Sequence, residues 1–143
     1  RSQSNREAKA SAKVVMQGKR FREQLPENCP PREAWQVNEE LEMFRLVRSQ
    51  IPIEADFRSQ RAERPKASFP GVSECRARGL SLFADREDAA MRLSLPKLRG
   101  RKICRVRLDS GAGYIEQTGE GSHHTWWPLA EYDILAQCQT EST

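Results

Sequence analysis

The residues best suited to chemistry lie near the end of the chain, in the stretch SHHTWWPLAEYDIL at residues 122–135. It contains both histidines of the protein, His123 and His124, and two of its three tryptophans, Trp126 and Trp127. Histidine acts as a base or a metal ligand near neutral pH, and an aromatic face binds cations and nucleobases. The stretch therefore predicts a reaction centre, a recognition surface or the last piece of a core.

The spacing of the histidines and cysteines does not indicate a metal site. From a β-strand, His123 and His124 would face opposite sides, although from a loop both could face one site. Four cysteines lie far apart and never form a C-x-x-C pair, at positions 29, 75, 104 and 138. We predict no metal ion and free, mostly buried thiols.

A nucleophilic triad has equally little support from the sequence. Ser81 or Ser122 would have to meet a histidine and Asp133, and the chain has no G-x-S-x-G elbow. The tryptophans have two interpretations. One ring fills the core while the other covers a sheet edge or an interface, or Trp126 forms a stacking platform beside a loop that Pro128 fixes.

The positive charge of the chain is concentrated at its beginning. The net charge is +4, and residues 1–25 hold seven Lys/Arg against two Asp/Glu, so the remainder is close to neutral. A second cluster, residues 97–107, has six Lys/Arg and no acid, with Arg105 and Arg107 on the same strand face as Arg101. This pattern indicates a phosphate-binding stripe or a solvated strand face, so both segments are candidate surfaces for a protein or nucleic-acid partner.

Proline and hydrophobic patterns divide the chain into two parts. Three prolines in residues 26–31 indicate a linker, so residues 1–31 form a basic N-terminal segment with a proline-rich linker and residues 32–143 form one domain. No run of 18 apolar residues and no signal-like leader occurs, so we expect no membrane span and a cytoplasmic location. Nothing in the sequence sets an oligomeric state.

Element patterns within the domain predict an α+β fold with a mostly antiparallel or mixed sheet and short helices. A helix from residue 34 changes to a strand near Glu42, and LSLF is a strand followed by a helix that Asp85 caps. Gly79 supplies a left-handed residue before that strand. RKICRVRL and YIEQT form a hairpin-like pair, and EYDILAQC is a final strand.

Three segments together resemble the ADP-ribosyltransferase-like superfamily of the arginine-serine-glutamate type. MFRLVR is similar to its first strand, with Arg45 at the arginine, although Arg48 fits nearly as well. GLSLFADREDAA resembles the second motif, with Ser81 as the polar residue and Phe83 as a ring that stacks on nicotinamide. AEYDIL resembles the acid-x-acid signature, with Glu131 and Asp133 as its two acids.

The resemblance implies a protein that uses NAD as a substrate in a cleft between two small sheets. Glu131 or Asp133 would stabilise the positive charge that develops on the ribose, and Arg45 would hold the pyrophosphate. Phe83 or Trp126 would sandwich the nicotinamide, while His123 or His124 would contact the ribose. The product would be an ADP-ribosylated macromolecule or hydrolysed NAD.

A non-catalytic interaction module is the alternative, such as a small subunit of a nucleic-acid-handling or multiprotein assembly. Its basic N-terminal segment would fold against RNA, DNA or a protein, and the tryptophans would anchor that surface.

Overall fold

A computed structural model describes residues 20–141, and its main element is one seven-stranded sheet in which all neighbouring strands run antiparallel. The strands are β1 (Trp35–Gln36), β2 (Leu41–Val47), β3 (Leu80–Phe83), β4 (Lys102–Leu108), β5 (Gly113–Gln117), β6 (His123–Pro128) and β7 (Cys138–Thr140). Their order in the sheet is β1-β5-β6-β3-β2-β4-β7. The predicted α+β class with an antiparallel sheet is confirmed.

The helices are short and lie between the strands. They are α1 (Gln60–Glu63), α2 (Glu74–Ala77) and α3 (Arg86–Arg92), with 3-10 turns at Glu54–Phe57, Pro96–Leu98 and Leu135–Gln137. As predicted, Asp85 caps α3, because its side chain accepts a hydrogen bond of 2.9 Å from the amide of Glu87. None of the helices in residues 20–141 combines the length and the apolar character that crossing a bilayer requires.

Strand alternation places one core on each face of the sheet. On β4, Cys104, Val106 and Leu108 belong to the larger core together with Trp126 and Phe57. The smaller core lies on the opposite face, where α3 packs its alanines on the sheet; its buried members are Phe44, Phe83, Ala89 and Ile103. The central strands are therefore covered on both sides.

The shortest strand pairing in the sheet is the one between β2 and β3. These strands are in register at a single pair, Phe44 and Phe83. By comparison, β2 and β4 share seven paired positions and β3 and β6 share four. The sheet thus consists of two halves, β1-β5-β6-β3 and β2-β4-β7, and polar side chains can enter where the halves diverge.

Three predictions about elements are wrong. The region from residue 34 to 44 contains strands and no helix. Met43 and Val47 face one core and Phe44 faces the other, so both faces of β2 are apolar and the alternation typical of a strand is absent from the sequence. β4 and β5 follow each other in the chain but are not sheet neighbours. Residues 131–134 form no strand, since Asp133 precedes a 3-10 turn and accepts a 3.3 Å hydrogen bond from the amide of Ala136.

Gly79 has a different role from the predicted one. It is not among the glycines with positive φ. A Cβ at this position would instead collide with the side chain of Thr125 and approach the indole nitrogen of Trp127 to 3.1 Å. Glycine is therefore required here by the close approach of β6 and not by a left-handed turn.

Residues 20–22 are hydrogen-bonded to the end of β6 and the residues that follow it. The amide of Arg22 donates to the carbonyl of Pro128 at 2.9 Å, and the amide of Ala130 donates to the carbonyl of Arg20 at 2.8 Å. The predicted partner-binding segment, residues 1–25, thus has its last six residues on the domain, while residues 1–19 lie outside the described part of the chain.

Two of the four cysteines form a disulfide, so the prediction of free thiols is wrong for them. Cys29 and Cys75 are bonded, with 5.6 Å between their Cα atoms. The bond joins the linker to α2, where Arg78 Nη1 also donates to the carbonyl of Gln24 at 2.6 Å. Cys104 and Cys138 are free thiols, buried and half-buried respectively, as predicted.

Candidate functional site

Where the two halves of the sheet diverge, a cleft of about 380 Å³ opens. Four residues predicted from the sequence line it: Arg45 on β2, Ser81 and Phe83 on β3, and His123 at the start of β6. They come from segments separated by about 36 to 42 residues, and the narrow junction of β2 and β3 brings them together. This is the candidate functional site.

Arg45 forms a fixed positive charge in the cleft wall. Its guanidinium donates to three backbone carbonyls: to Asp56 at 2.9 Å, to Ser81 at 2.9 Å and to Arg58 at 3.3 Å. Burial lowers the pKa of Arg45 to about 10, with Glu63 and Asp56 opposing that shift, so the group is charged at neutral pH. Because it holds β2, β3 and the following loop together, its main role is to shape the cleft.

Ser81 and His123 are hydrogen-bonded to each other inside the cleft. The distance from Ser81 Oγ to His123 Nε2 is 3.0 Å, and His123 Nδ1 lies 3.0 Å from the carbonyl oxygen of Thr118. Thr118 Oγ1 also lies 3.0 Å from Nδ1, but a carbonyl can only accept, so we assign the hydrogen of the neutral ring to Nδ1. Nε2 is then the acceptor, and the Ser81 hydroxyl donates to it.

The start of α3 and its N-cap hold Ser122, the residue before His123. The amide of Ser122 donates to Asp88 Oδ2 on α3 at 2.9 Å, and Ser122 Oγ accepts from the amide of Asp85 at 2.9 Å. Burial lowers the pKa of His123 below the usual 6.5, and the Thr118 carbonyl opposes this shift. The imidazole is therefore neutral, and basic at Nε2, at physiological pH.

The cleft has a strongly positive lining. Six arginines line it against one carboxylate, Glu63; these arginines are Arg45, Arg48, Arg58, Arg64, Arg92 and Arg101. Arg48 is paired with Glu63 at 3.2 Å. Burial and the neighbouring Arg48 lower the pKa of Arg101, as expected for cations placed close together. An arrangement of this kind suits a ligand that carries phosphate groups.

Two phenylalanine rings line the same cleft. Phe83 is only 6% exposed, and His123 lies edge-on to it at 5.3 Å while the Arg92 guanidinium lies 5.4 Å from its centroid. Phe69 is half-buried, with Arg61 at 4.9 Å from its centroid. Phe69 therefore has more accessible surface than the predicted Phe83, and a flat ligand ring would share it with the Arg61 and Arg64 guanidinium groups that lie over it.

The structure does not bring the other predicted site residues into the cleft. Trp126 is completely buried and donates from Nε1 to the carbonyl of Ala112 at 3.1 Å, so it has no free face for nicotinamide. His124 points away from His123, bonding the carbonyl of Ser122 at 2.7 Å and meeting Trp35 edge-on. Glu131 and Asp133 are exposed in a turn and are not among the cleft residues.

Trp127 matches the interpretation of the tryptophans as structural residues. It is 1% exposed, and its Nε1 donates to the carbonyl of Cys75 at 2.9 Å. Both rings thus fill the interior of the domain, and each indole N–H has a backbone partner.

Sequence reasoning missed the side chains that follow β2. Arg58, Glu63, Arg64 and Phe69 lie in a segment that has no clear hydrophobic period. Its density of arginines was the available signal, but a charged loop usually faces solvent, and only the fold shows that these charges converge on one cleft.

The predicted basic stripe of residues 97–107 is divided. Arg105 and Arg107 are exposed on β4, where Arg107 pairs with Glu40 at 3.3 Å. Arg101 precedes β4 and lines the cleft instead. The basic residues therefore serve two separate surfaces.

Other features of the described chain offer less chemistry. A larger groove of about 950 Å³ is formed by residues 20–30, Arg32 and Ala130 and contains none of the predicted site residues. In residues 20–141, no three His, Cys, Asp or Glu side chains are grouped as a metal site would need.

Comparison of the chain with protein-family models, with curated proteins and with solved structures gives no match.

Proposed function

We propose that the cleft binds NAD and that the protein is an ADP-ribosyltransferase-like or NAD-hydrolysing enzyme. The observation that carries this proposal is the convergence of Arg45, Ser81, Phe83 and His123 on one cleft at the junction of two half-sheets. The resemblance assigns these four residues to the site, and it places NAD between two small sheets.

The charge and the rings of the cleft support the same ligand. Guanidinium groups bind phosphate oxygens through paired donors, so Arg92 and Arg101 are suited to the pyrophosphate. Phe69 offers a half-exposed ring for the nicotinamide or the adenine. A dinucleotide with a central pyrophosphate carries both of these features.

Glu63 takes the catalytic role that the resemblance gives to Glu131 or Asp133. Cleavage of the bond between ribose and nicotinamide develops positive charge on the ribose, and a nearby carboxylate stabilises that transition state. Among the described residues, Glu63 is the one carboxylate that lines the cleft, and its side chain is 34% exposed. Glu131 and Asp133 lie outside the cleft lining.

The proposal is tested by incubating the protein with NAD. We expect calorimetry to show binding and proton NMR to show free nicotinamide. Arg101→Ala should weaken binding by roughly tenfold, the effect of losing a charge-assisted hydrogen bond. Arg105→Ala, which removes an exposed arginine of β4, is the matched control and should bind NAD as the wild type does.

Absence of both binding and nicotinamide release, with water and with macromolecular acceptors present, would overturn the proposal. Equal effects of Arg101→Ala and Arg105→Ala would show that NAD is attracted by general charge and is not held in the cleft.

The Cys29–Cys75 disulfide bears on the cellular location of the protein. Disulfides such as Cys29–Cys75 persist in oxidising compartments and are rare in the cytosol. We therefore propose an oxidising compartment in place of the cytoplasmic location that the sequence predicts. Thiol labelling of protein taken directly from its source tests this, since a cytoplasmic protein would present Cys29 and Cys75 as free thiols.

A further inference from the structure

The hydrogen-bonded series Thr118, His123 and Ser81 ends at the cleft. The Thr118 carbonyl fixes the hydrogen of His123 on Nδ1, and Nε2 accepts from Ser81 Oγ at 3.0 Å. Ser81 is exposed and lines the cleft. Its hydroxyl therefore connects Nε2 of His123 with the space that a ligand would fill.

We propose that His123 is the general base of the cleft and that it deprotonates a hydroxyl acceptor, water or an alcohol, for attack on the ribose of NAD. This inference rests on the proposed function and adds to it the base and the chemical class of the acceptor.

The step balances without a further reactant. The bond between the anomeric carbon and the nicotinamide nitrogen breaks, and its electron pair leaves with neutral nicotinamide. The acceptor oxygen forms a new bond to the same carbon. Its proton moves to Ser81 Oγ as the Ser81 hydroxyl passes its own proton to Nε2 of His123, and the resulting imidazolium keeps its Nδ1–H on the Thr118 carbonyl. Water as acceptor gives ADP-ribose, and an alcohol gives an O-alkyl ADP-riboside.

The groups around His123 favour its neutral form before the reaction. Arg92 from α3 and Arg76 from α2 are the nearby cations, and His124 is its neighbour on β6. Asp88 of α3 is bound to the amide of Ser122, which leaves Ser81 and Thr118 as the direct partners of the ring. A neutral ring is the form that accepts a proton.

The geometry separates His123 from its neighbour. His124 bonds the carbonyl of Ser122 and meets Trp35 at 6.0 Å, away from the cleft. His124→Ala thus removes an imidazole from the same strand without removing the base, and it is the matched control for His123→Ala.

The test compares wild type, His123→Ala and His124→Ala with NAD in water and in water containing methanol. We expect His123→Ala to keep measurable NAD binding by calorimetry, but to release nicotinamide on the order of 10²–10⁴-fold more slowly when saturated with NAD. Added imidazole should restore its rate in proportion to the free base. Methanol should yield methyl ADP-riboside, while water alone yields ADP-ribose.

The outcomes distinguish the general-base role of His123 from the proposed use of NAD. If the wild type releases nicotinamide and His123→Ala does so at the same rate and with the same pH profile, the general-base role is overturned and the proposed function stands. A wild type that neither binds nor cleaves NAD overturns both. Should His123→Ala fail to fold, His123→Gln replaces it, because glutamine keeps a hydrogen-bonding side chain but is not a base. A nicotinamide-release rate of His123→Gln equal to that of the wild type would then overturn the general-base role.

Discussion

At the scale of single residues, the cleft brings together side chains from three strands. Arg45, Ser81, Phe83 and His123 share one cleft. The Arg45 guanidinium, however, donates three hydrogen bonds to backbone carbonyls of its own chain. The position of Arg45 in a strand does not predict these bonds. Side-chain roles of this kind depend on which backbone groups the fold leaves without a sheet partner.

Asp56 is the carboxylate that holds the loop after β2 in place. Its two oxygens accept from the amides of Arg48 at 2.9 Å and Ile53 at 3.0 Å. Burial alone would raise the pKa of Asp56, but these amide hydrogen bonds outweigh it and lower the pKa below the usual 3.8. The folded state therefore binds this proton less readily than the unfolded chain does.

We predict that Asp56→Asn lowers the free energy of unfolding at neutral pH by about 1–3 kcal/mol, because charged hydrogen bonds are lost. Asp56 stabilises the fold above its unfolded pKa, and this contribution disappears as pH falls through its folded pKa. Urea denaturation at neutral pH and at about pH 3 should thus show the difference between variant and wild type shrinking in acid.

Asp133→Asn is the control for that measurement, because Asp133 is exposed and makes one hydrogen bond of 3.3 Å. We expect it to change stability little. A difference between Asp56→Asn and wild type that stays constant with pH would contradict the role assigned to the Asp56 charge.

At the scale of elements, the sequence predicts those whose pattern is local. The alternation of β4 and the Asp85 cap of α3 were predicted and are present. The pairing of strands was not, since β4 and β5 are adjacent in the chain but lie in different halves of the sheet. Pairing depends on which faces become buried together, and that information is not local.

The disulfide joins two elements that sequence spacing could not connect, because Cys29 and Cys75 are 46 residues apart. We predict that Cys29→Ser/Cys75→Ser lowers the free energy of unfolding by about 2–4 kcal/mol, since the crosslink restricts the unfolded chain. Urea denaturation checks this, with Cys138→Ser, a free half-buried thiol, as the control. Identical curves for the double variant and the wild type would contradict a structural role for the bond.

At the scale of the whole molecule, the short pairing between β2 and β3 accounts for the position of the cleft. Its single pair, Phe44 and Phe83, leaves an opening between the half-sheets, and the charged segment after β2 closes one side of it. The class of the fold followed from the number of strand-like segments. The position of the cleft did not, because it depends on the order of the strands in space.

The interaction-module alternative now concerns fewer residues. Arg20, Arg22, Glu23 and Gln24 are hydrogen-bonded to the domain, so a basic arm for RNA, DNA or protein would be confined to residues 1–19, outside the described part of the chain. The buried tryptophans cannot anchor such a partner. This leaves the arginine-lined cleft as the feature of the described structure with the clearest chemical specificity.

Replacing carboxylates tests the proposed NAD cleavage most directly, because that reaction needs a negative charge beside the ribose. Nicotinamide release should be measured for wild type, Glu63→Gln and the double variant Glu131→Gln/Asp133→Asn. We predict a loss on the order of a hundredfold or more for Glu63→Gln, as for removal of one group that stabilises transition-state charge, and release near the wild-type rate for the double variant. The opposite pattern, with Glu63→Gln active and the double variant inactive, would contradict a site in the cleft between the half-sheets.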